Sequence, residues 1–126
     1  GDKIQLEIVL TNLLSNAHAA ILNRRRNEAR DAQPTPRGLI DVSVCLQKTD
    51  LEVRVTDNGC GIPEAAIDRI FDPFFTKQDT GQGMGLGLAL VYRIVTGVRG
   101  RIIAENLDEG AQFTLTLPIV QEEGVI

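Results

Sequence analysis

The stretch Leu51-Glu52-Val53-Arg54-Val55-Thr56-Asp57-Asn58-Gly59-Cys60-Gly61-Ile62-Pro63 decides how the rest of the chain is read. Leu51, Val53 and Val55 alternate with Glu52, Arg54 and Thr56, the period-2 pattern of a strand with one buried and one polar face. Asp57 continues the inward register, so a carboxylate falls where the pattern asks for an apolar side chain. Burying that group is costly unless hydrogen-bond donors reach it. The pattern alone leaves a second reading open, in which the strand stops at Val55 and Asp57 opens an Asx-turn before Gly59. Glycines at 59 and 61 add weight to the first, because they let a planar ligand or another backbone come close.

Working outward, Ile40, Val42, Val44 and Leu46 alternate with Asp41, Ser43, Cys45 and Gln47, which predicts a partner strand with its apolar side inward. Ahead of it, Leu6, Val9, Leu10, Leu13, Ala17, Ala20 and Ile21 recur at helical spacing, and Asp2 with Gln5 has capping-box spacing. That pattern decays at Asn23-Arg24-Arg25-Arg26-Asn27, so about 24–38 reads as a loop insertion and the basic run as a solvated helix end. After the glycine turn, Pro63 predicts the start of a short helix through Ile70, closed by Phe71-Asp72-Pro73-Phe74-Phe75. A polar, glycine-rich loop from Thr76 to Gly85 precedes a helix marked by Leu86, Leu90, Val91, Ile94, Val95 and Val98, ending near Gly97 or Gly100. Two strands follow, Arg101–Glu105 and Ala111–Leu117, the second with Phe113, Leu115 and Leu117 inward. Strands with one polar face need helices on the other side only, so the expected architecture is a two-layer α/β sandwich.

With 126 residues, 43% of them hydrophobic and 24% charged, the composition fits one globular domain over 1–126. Thirteen basic against seventeen acidic side chains leave a net charge of −4, which counts against a nucleic-acid or anionic-membrane surface as the main partner. No apolar run approaches the roughly 18 residues of a membrane span, and no signal segment opens the chain. Cys45 and Cys60 give neither a disulfide framework nor a metal site, and His18 is the sole histidine. Among twelve glycines the conspicuous cluster is Gly81-Gln82-Gly83-Met84-Gly85-Leu86-Gly87, just before an apolar helix. Glycines there expose N–H groups at a helix N-terminus, a plausible phosphate cradle, although such runs are commonly plain loops. It is neither a Walker A loop nor a dinucleotide fingerprint. On the first helix Asn12, Asn16 and Ala20 share one edge of the apolar stripe. The amide of Asn16 either presents oxygen to a hard cation such as Mg²⁺ or bonds a neighbouring loop.

Asn12-Leu13-Leu14-Ser15-Asn16-Ala17 resembles the N box of sensor histidine kinases, and Asp57-Asn58-Gly59-Cys60-Gly61-Ile62-Pro63 their G1 box. Phe71-Asp72-Pro73-Phe74-Phe75 resembles the F box, Gly83-Met84-Gly85-Leu86-Gly87-Leu88 the G2 box, and Gly110-Ala111-Gln112-Phe113-Thr114-Leu115 the final strand motif. Four ordered boxes cover nearly the whole chain. They resemble the catalytic and ATP-binding domain of two-component histidine kinases, within the gyrase, heat-shock-chaperone and mismatch-repair ATPase superfamily.

The resemblance implies a Bergerat-type fold, α/β (α+β), with a mixed, mostly antiparallel sheet and helices on one face. It implies ATP and Mg²⁺ as cofactors, with Asn16 catalytic and metal-binding and Asp57 accepting a hydrogen bond from the adenine amino group. Gly59, Gly61, Ile62 and Leu88 would complete the base pocket, with Asn12 and Ala20 also binding the cofactor. A lid over about 76–87 would bring Lys77 as a second catalytic residue, and Gln82, Gly83, Met84, Gly85, Leu86 and Gly87 to the phosphates. The implied reaction is phosphoryl transfer to a histidine on a separate dimerisation domain of a cytoplasmic kinase portion, with a response regulator downstream. No nucleic acid and no direct membrane contact are implied. Superfamily ATPases, serine kinases and degenerate nucleotide-binding scaffolds are the alternatives. Hydrolytic members resemble a pattern with glutamate four residues before the Mg²⁺-binding Asn. Here that place holds Asn12, which cannot act as a base. His18, about 200° round the helix from Asn16, should not face the same ligand. Two departures stand out: Ala111 replaces a common Thr, and Gly97-Val98-Arg99-Gly100 replaces a His-Gly-Gly-type turn.

Overall fold

The computed structural model describes residues 2–32, 37–72 and 88–119. Helix α1 spans Asp2–Arg30. It buries Val9, Leu13, Ala17, Ala20 and Ile21, the stripe its spacing predicts. Strands β1 (Ile40–Leu46) and β2 (Asp50–Asp57) follow, then α2 (Leu88–Gly97), β3 (Arg101–Asn106) and β4 (Ala111–Pro118). The four strands form one sheet in the order β1-β2-β4-β3, every neighbouring pair antiparallel. The expectation of a mixed sheet therefore gives way to a wholly antiparallel one among the described residues.

Alternation places the core. Val53 and Val55 of β2 lie opposite Leu115 and Phe113 of β4. All four are buried in a cluster with Val9 and Leu13 of α1 and Val91 and Val95 of α2. Both helices therefore cover the same face, and Arg54, Thr56, Gln112 and Thr114 occupy the other. This is the two-layer α/β sandwich the strand patterns predict. Leu115 is fully buried, so truncating it to alanine belongs in the range of about 2–5 kcal/mol for such positions.

Three further expectations are corrected. The apolar side of β1 is not buried: Val42, Val44 and Leu46 are 45%, 63% and 74% exposed. β1 is an edge strand, so only one neighbour flanks it, and the alternation that reports a sheet face does not report whether a helix covers it. Second, 63–72 is a chain of turns rather than a helix. Ala66 N–H donates to Pro63 O at 2.8 Å, Arg69 to Ala66 at 2.7 Å and Asp72 to Arg69 at 2.9 Å. Three-residue steps of this kind still seat Ala66 and Ile70 in the core. Third, α1 does not stop at Asn23 but continues through Arg30, so the first part of the expected 24–38 insertion is helical. Arg25 and Arg26 are exposed, as a solvated run should be, whereas Arg24 is not.

At the end of α2, Gly100 N–H donates to Val95 O at 2.8 Å and Arg99 N–H to Thr96 O at 3.0 Å. These are the two bonds of a Schellman cap, and they put Arg99 at φ 63°, where glycine is usual. A side chain in that conformation costs about 1 kcal/mol. Arg99→Gly is accordingly expected to stabilise the domain by about 0.5–1 kcal/mol, a rise in melting temperature of roughly 2–5 °C by calorimetry.

Candidate nucleotide site: a buried carboxylate and amide under a glycine turn

Asp57 ends β2 in the inward register and is 4% exposed, so the first reading of the strand holds. The second reading fails in its strand end, since β2 does not stop at Val55, but its turn forms: Asp57 Oδ1 accepts Gly59 N–H at 2.8 Å. The turn supplies a donor that burial requires. Burial pushes the Asp57 carboxyl up from its ordinary 3.8, and the N–H groups of Gly59 and Ala111 pull it partly back. Its contribution to stability is therefore full below the unfolded-chain value and is lost as pH rises through the higher folded value.

Asn16 is 2% exposed on the core-facing side of α1. Among the described residues, Asn16 and Asp57 are the only buried side chains that are polar or charged. One turn on, Ala20 O accepts Cys60 N–H at 3.0 Å, so the glycine turn docks directly on α1. A Cβ at Gly59 would lie 2.5 Å from the Ala20 carbonyl carbon, so the room that glycine leaves is taken by the helix backbone. Gly61 adopts φ 78°. Gly110 adopts φ 83°, and a Cβ there would lie 1.9 Å from Asp57 O. Ala111 lacks a hydroxyl, yet its backbone N–H serves Asp57 from the start of β4.

The remaining expected residues divide into three sets. Ile62 and Leu88 are buried in the core cluster. Asn12 is half-buried, and its Nδ2 donates to Ile8 O at 2.8 Å within its own helix. His18 is exposed while Asn16 is buried, in keeping with their separation round the helix. Lys77, Gln82, Gly83, Met84, Gly85, Leu86 and Gly87, with the rest of the expected lid and Phe74 and Phe75, lie outside the described residues. Cys60 is half-buried, and burial pushes its thiol up from 9.0, away from thiolate chemistry.

Sequence reasoning missed three residues that hold the turn. Arg24 NH1 donates to Asn58 O at 2.7 Å, and NH2 to Glu109 Oε1 at 3.2 Å. Asn106 Nδ2 donates to Ile62 O and its Oδ1 accepts Ile62 N–H, both at 2.7 Å. Asn58 Nδ2 donates to Arg37 O at 2.7 Å, and its Oδ1 accepts Leu39 N–H at 2.8 Å. Arg24 was camouflaged in its basic run, and nothing in the pattern around Asn106 marks it.

An antiparallel sheet with both helices on one face, and, among the described residues, buried polar side chains only at one strand end and on α1, defines a two-layer α/β sandwich with a polar site at one end of its sheet. The chain belongs to the family described as histidine kinase-, DNA gyrase B-, and HSP90-like ATPase, whose model matches residues 1–121. It is 38% identical over 119 residues to the two-component sensor PprA of Pseudomonas aeruginosa, covering 94% of this chain and 12% of PprA. It is 40% identical over 122 residues to the signal transduction histidine-protein kinase AtoS of Escherichia coli, covering 94% of this chain and 17% of AtoS. The chain thus spans less than a fifth of the length of these curated relatives. Among solved structures, it is similar to the catalytic domain of histidine kinase ThkA, with TM-score 0.73 and 31% identity over 94% of this chain and 68% of that one. The mycobacterial sensor histidine kinase MprB is similar with TM-score 0.69 and 27% identity, covering 94% of this chain and 72% of that one. Among the described residues no helix is long and apolar enough to cross a membrane.

Proposed function

We propose that this domain binds Mg-ATP at the site marked by Asp57 and Asn16 and donates the γ-phosphoryl group to a histidine on a separate domain of a two-component sensor kinase. The observation that carries this reading is that, among the described residues, the buried polar side chains are Asn16 and Asp57. A carboxylate whose titration burial has shifted, at a strand end beside a buried amide, is the kind of group that clusters at functional sites.

Asp57 is the acceptor for an adenine amino group, its carboxylate pre-aimed by Gly59 N–H. Ile62 and Leu88, both apolar and core-anchored, suit the faces of a planar base. Asn16 offers an amide oxygen, a hard neutral ligand of the kind Mg²⁺ accepts alongside phosphate and water. Bound Mg²⁺ would neutralise phosphate charge there. Lys77 and Gln82 to Gly87 are proposed to close over the phosphates, and Gly85 and Gly87 to free backbone N–H groups for them.

Transfer is favoured over hydrolysis. Asn12 occupies the position one turn before Asn16, has no basicity, and spends its donor on Ile8 O. Glu7 is exposed and nine residues away in sequence, a poor substitute. Positioning and charge neutralisation suffice for phosphoryl transfer when a nucleophilic histidine is supplied. The response regulator of such a pathway would act downstream of that phosphohistidine.

Calorimetry and radiolabelled ATP test the reading together. Residues 1–126 are expected to bind Mg-ATP with negligible turnover, and to label an added histidine-bearing dimerisation domain of the same kinase. Absence of adenine-nucleotide binding contradicts the site. Robust ATP hydrolysis that survives repurification contradicts the choice of transfer over hydrolysis.

A further inference from the structure

The turn from Asn58 to Ile62 contains two glycines, and glycine gives a loop many alternative conformations to choose among. The Asn58 amide, through Arg37 O and Leu39 N–H, and the Cys60 N–H bond to Ala20 O supply part of the selection. Two side chains from outside the turn add to it. From α1, Arg24 NH1 reaches the Asn58 carbonyl at 2.7 Å. The same guanidinium is steadied by Glu28, one helical turn along, and by Glu109 in the β3–β4 turn. The Glu109 carboxylate is 65% exposed, so that pair contributes little by itself, and the Asn58 carbonyl is the contact that matters.

From the end of β3, the Asn106 amide grips both the N–H and the carbonyl of Ile62 at 2.7 Å. That is the exchange of bonds a neighbouring strand residue would make, supplied instead by a side chain. The same Oδ1 would lie 3.0 Å from a Cβ at Gly61, which shows how closely the amide is drawn against the turn. Asn106 is itself an exposed residue, so each bond competes with water, and the pair acts where one alone would be weak.

We infer that Asn106 and Arg24 are positioning residues for the adenine pocket, holding the Asn58–Ile62 turn so that the Asp57 carboxylate and the Ile62 side chain keep a fixed separation. This rests on the proposed nucleotide reading of the site. Neither residue needs to touch the ligand. Their effect is to remove the ordering cost that a free glycine turn would impose on binding, which is preorganisation. The consequence is specific to the base. Adenine presents an amino donor to Asp57 where guanine presents a carbonyl, so a loosened turn should bind adenine less tightly and also discriminate less.

The test uses Asn106→Leu, which keeps size and removes both bonds. Asn106→Asp keeps the acceptor for Ile62 N–H and loses the donor. Arg24→Met completes the set. Each is titrated calorimetrically with adenosine, ADP, Mg-ATP and Mg-GTP, below its own melting temperature. Asn106→Leu and Arg24→Met are expected to weaken adenosine, ADP and ATP by the same factor, roughly tenfold, and to narrow the ATP-to-GTP preference. Asn106→Asp should fall between them and the unsubstituted protein, a partial rescue that a general loss of stability would not give. If Asn106→Leu fails to fold, the other two variants carry the test. Folded variants with unchanged affinities and an unchanged ATP-to-GTP ratio overturn the inference. So does a loss for ATP that spares adenosine, which would mean direct phosphate contact. Failure of the unsubstituted chain to bind any of the four overturns the nucleotide reading itself.

Discussion

Asp57→Asn is expected to weaken adenine-nucleotide binding by about 2–3 kcal/mol, roughly a hundredfold, the scale of a hydrogen bond to a charged group. The carboxylate has two acceptor oxygens. One is already engaged by Gly59 N–H, and Ala111 N–H adds a second donor from β4. An amide of the same shape keeps a single acceptor, so the adenine amino group would compete for it and meet an N–H₂ instead. The fold should tolerate the change, because it removes a buried charge without changing volume, and the melting temperature at neutral pH should hold or rise slightly. A pH series separates the two effects. Burial raises the Asp57 carboxyl above 3.8, and the ionised form is the one that accepts from adenine. Affinity in the unsubstituted protein should therefore fall as pH drops through that raised value, whereas Asp57→Asn should show no such dependence. An unchanged affinity in Asp57→Asn would remove the adenine assignment.

The largest effect on stability is expected from Gly110→Ala. Gly110 has φ 83°, and an added Cβ would sit 1.9 Å from Asp57 O and 2.8 Å from Asn58 Cα. Both obstacles are backbone, so no side chain can swing aside. The positive φ and the forced displacement add, giving a loss of about 3 kcal/mol or more. In a chain of this size that is a fall in melting temperature of roughly 10 °C or more. Because the displaced segment carries Ala111 N–H toward Asp57, residual folded protein should also bind nucleotide poorly. Gly97→Ala is the control, since a Cβ there meets nothing within 4 Å. Equal melting temperatures for the two variants would contradict this account of the turn.

Much of this architecture is written in periodicity. The alternation of β2 and β4 and the helical stripe of α1 name the residues that meet in the core. The polar break at Asp57 names the strand end where chemistry should occur. What periodicity cannot report is context. β1 alternates as cleanly as β2, yet its apolar side is exposed, because coverage depends on where helices lie and not on the strand itself. Pro63–Asp72 carries Ala66 and Ile70 at helical spacing, but three-residue turns seat them equally well.

The candidate site was legible to the same extent and for the same reasons. A carboxylate in an apolar register violates a pattern and so declares itself. Asn106 violates nothing, since an asparagine after a strand reads as an ordinary turn residue. Arg24 hides among like-charged neighbours and is distinguished only by the Asn58 carbonyl, 34 residues along the chain, that its helical position lets it reach. Supporting contacts of this kind depend on long-range geometry, and a single sequence does not carry that signal.

The buried residues Asn16 and Asp57 are proposed to mark the nucleotide site. A groove elsewhere in the domain makes this easy to contradict. At the far end of the sheet an apolar groove of about 630 Å³ runs between α1, α2 and β4, lined by Leu6, Val98 and Leu117 among others. Two-dimensional amide NMR of isotopically labelled protein, titrated with Mg-ADP, distinguishes the two directly. The account predicts saturable shifts centred on Asn16, Ala20, Asp57, Gly59, Gly61 and Ala111, with Gln5, Val98 and Leu117 unmoved. Shifts centred on the far groove, with Asp57 and Gly59 unmoved, would contradict it.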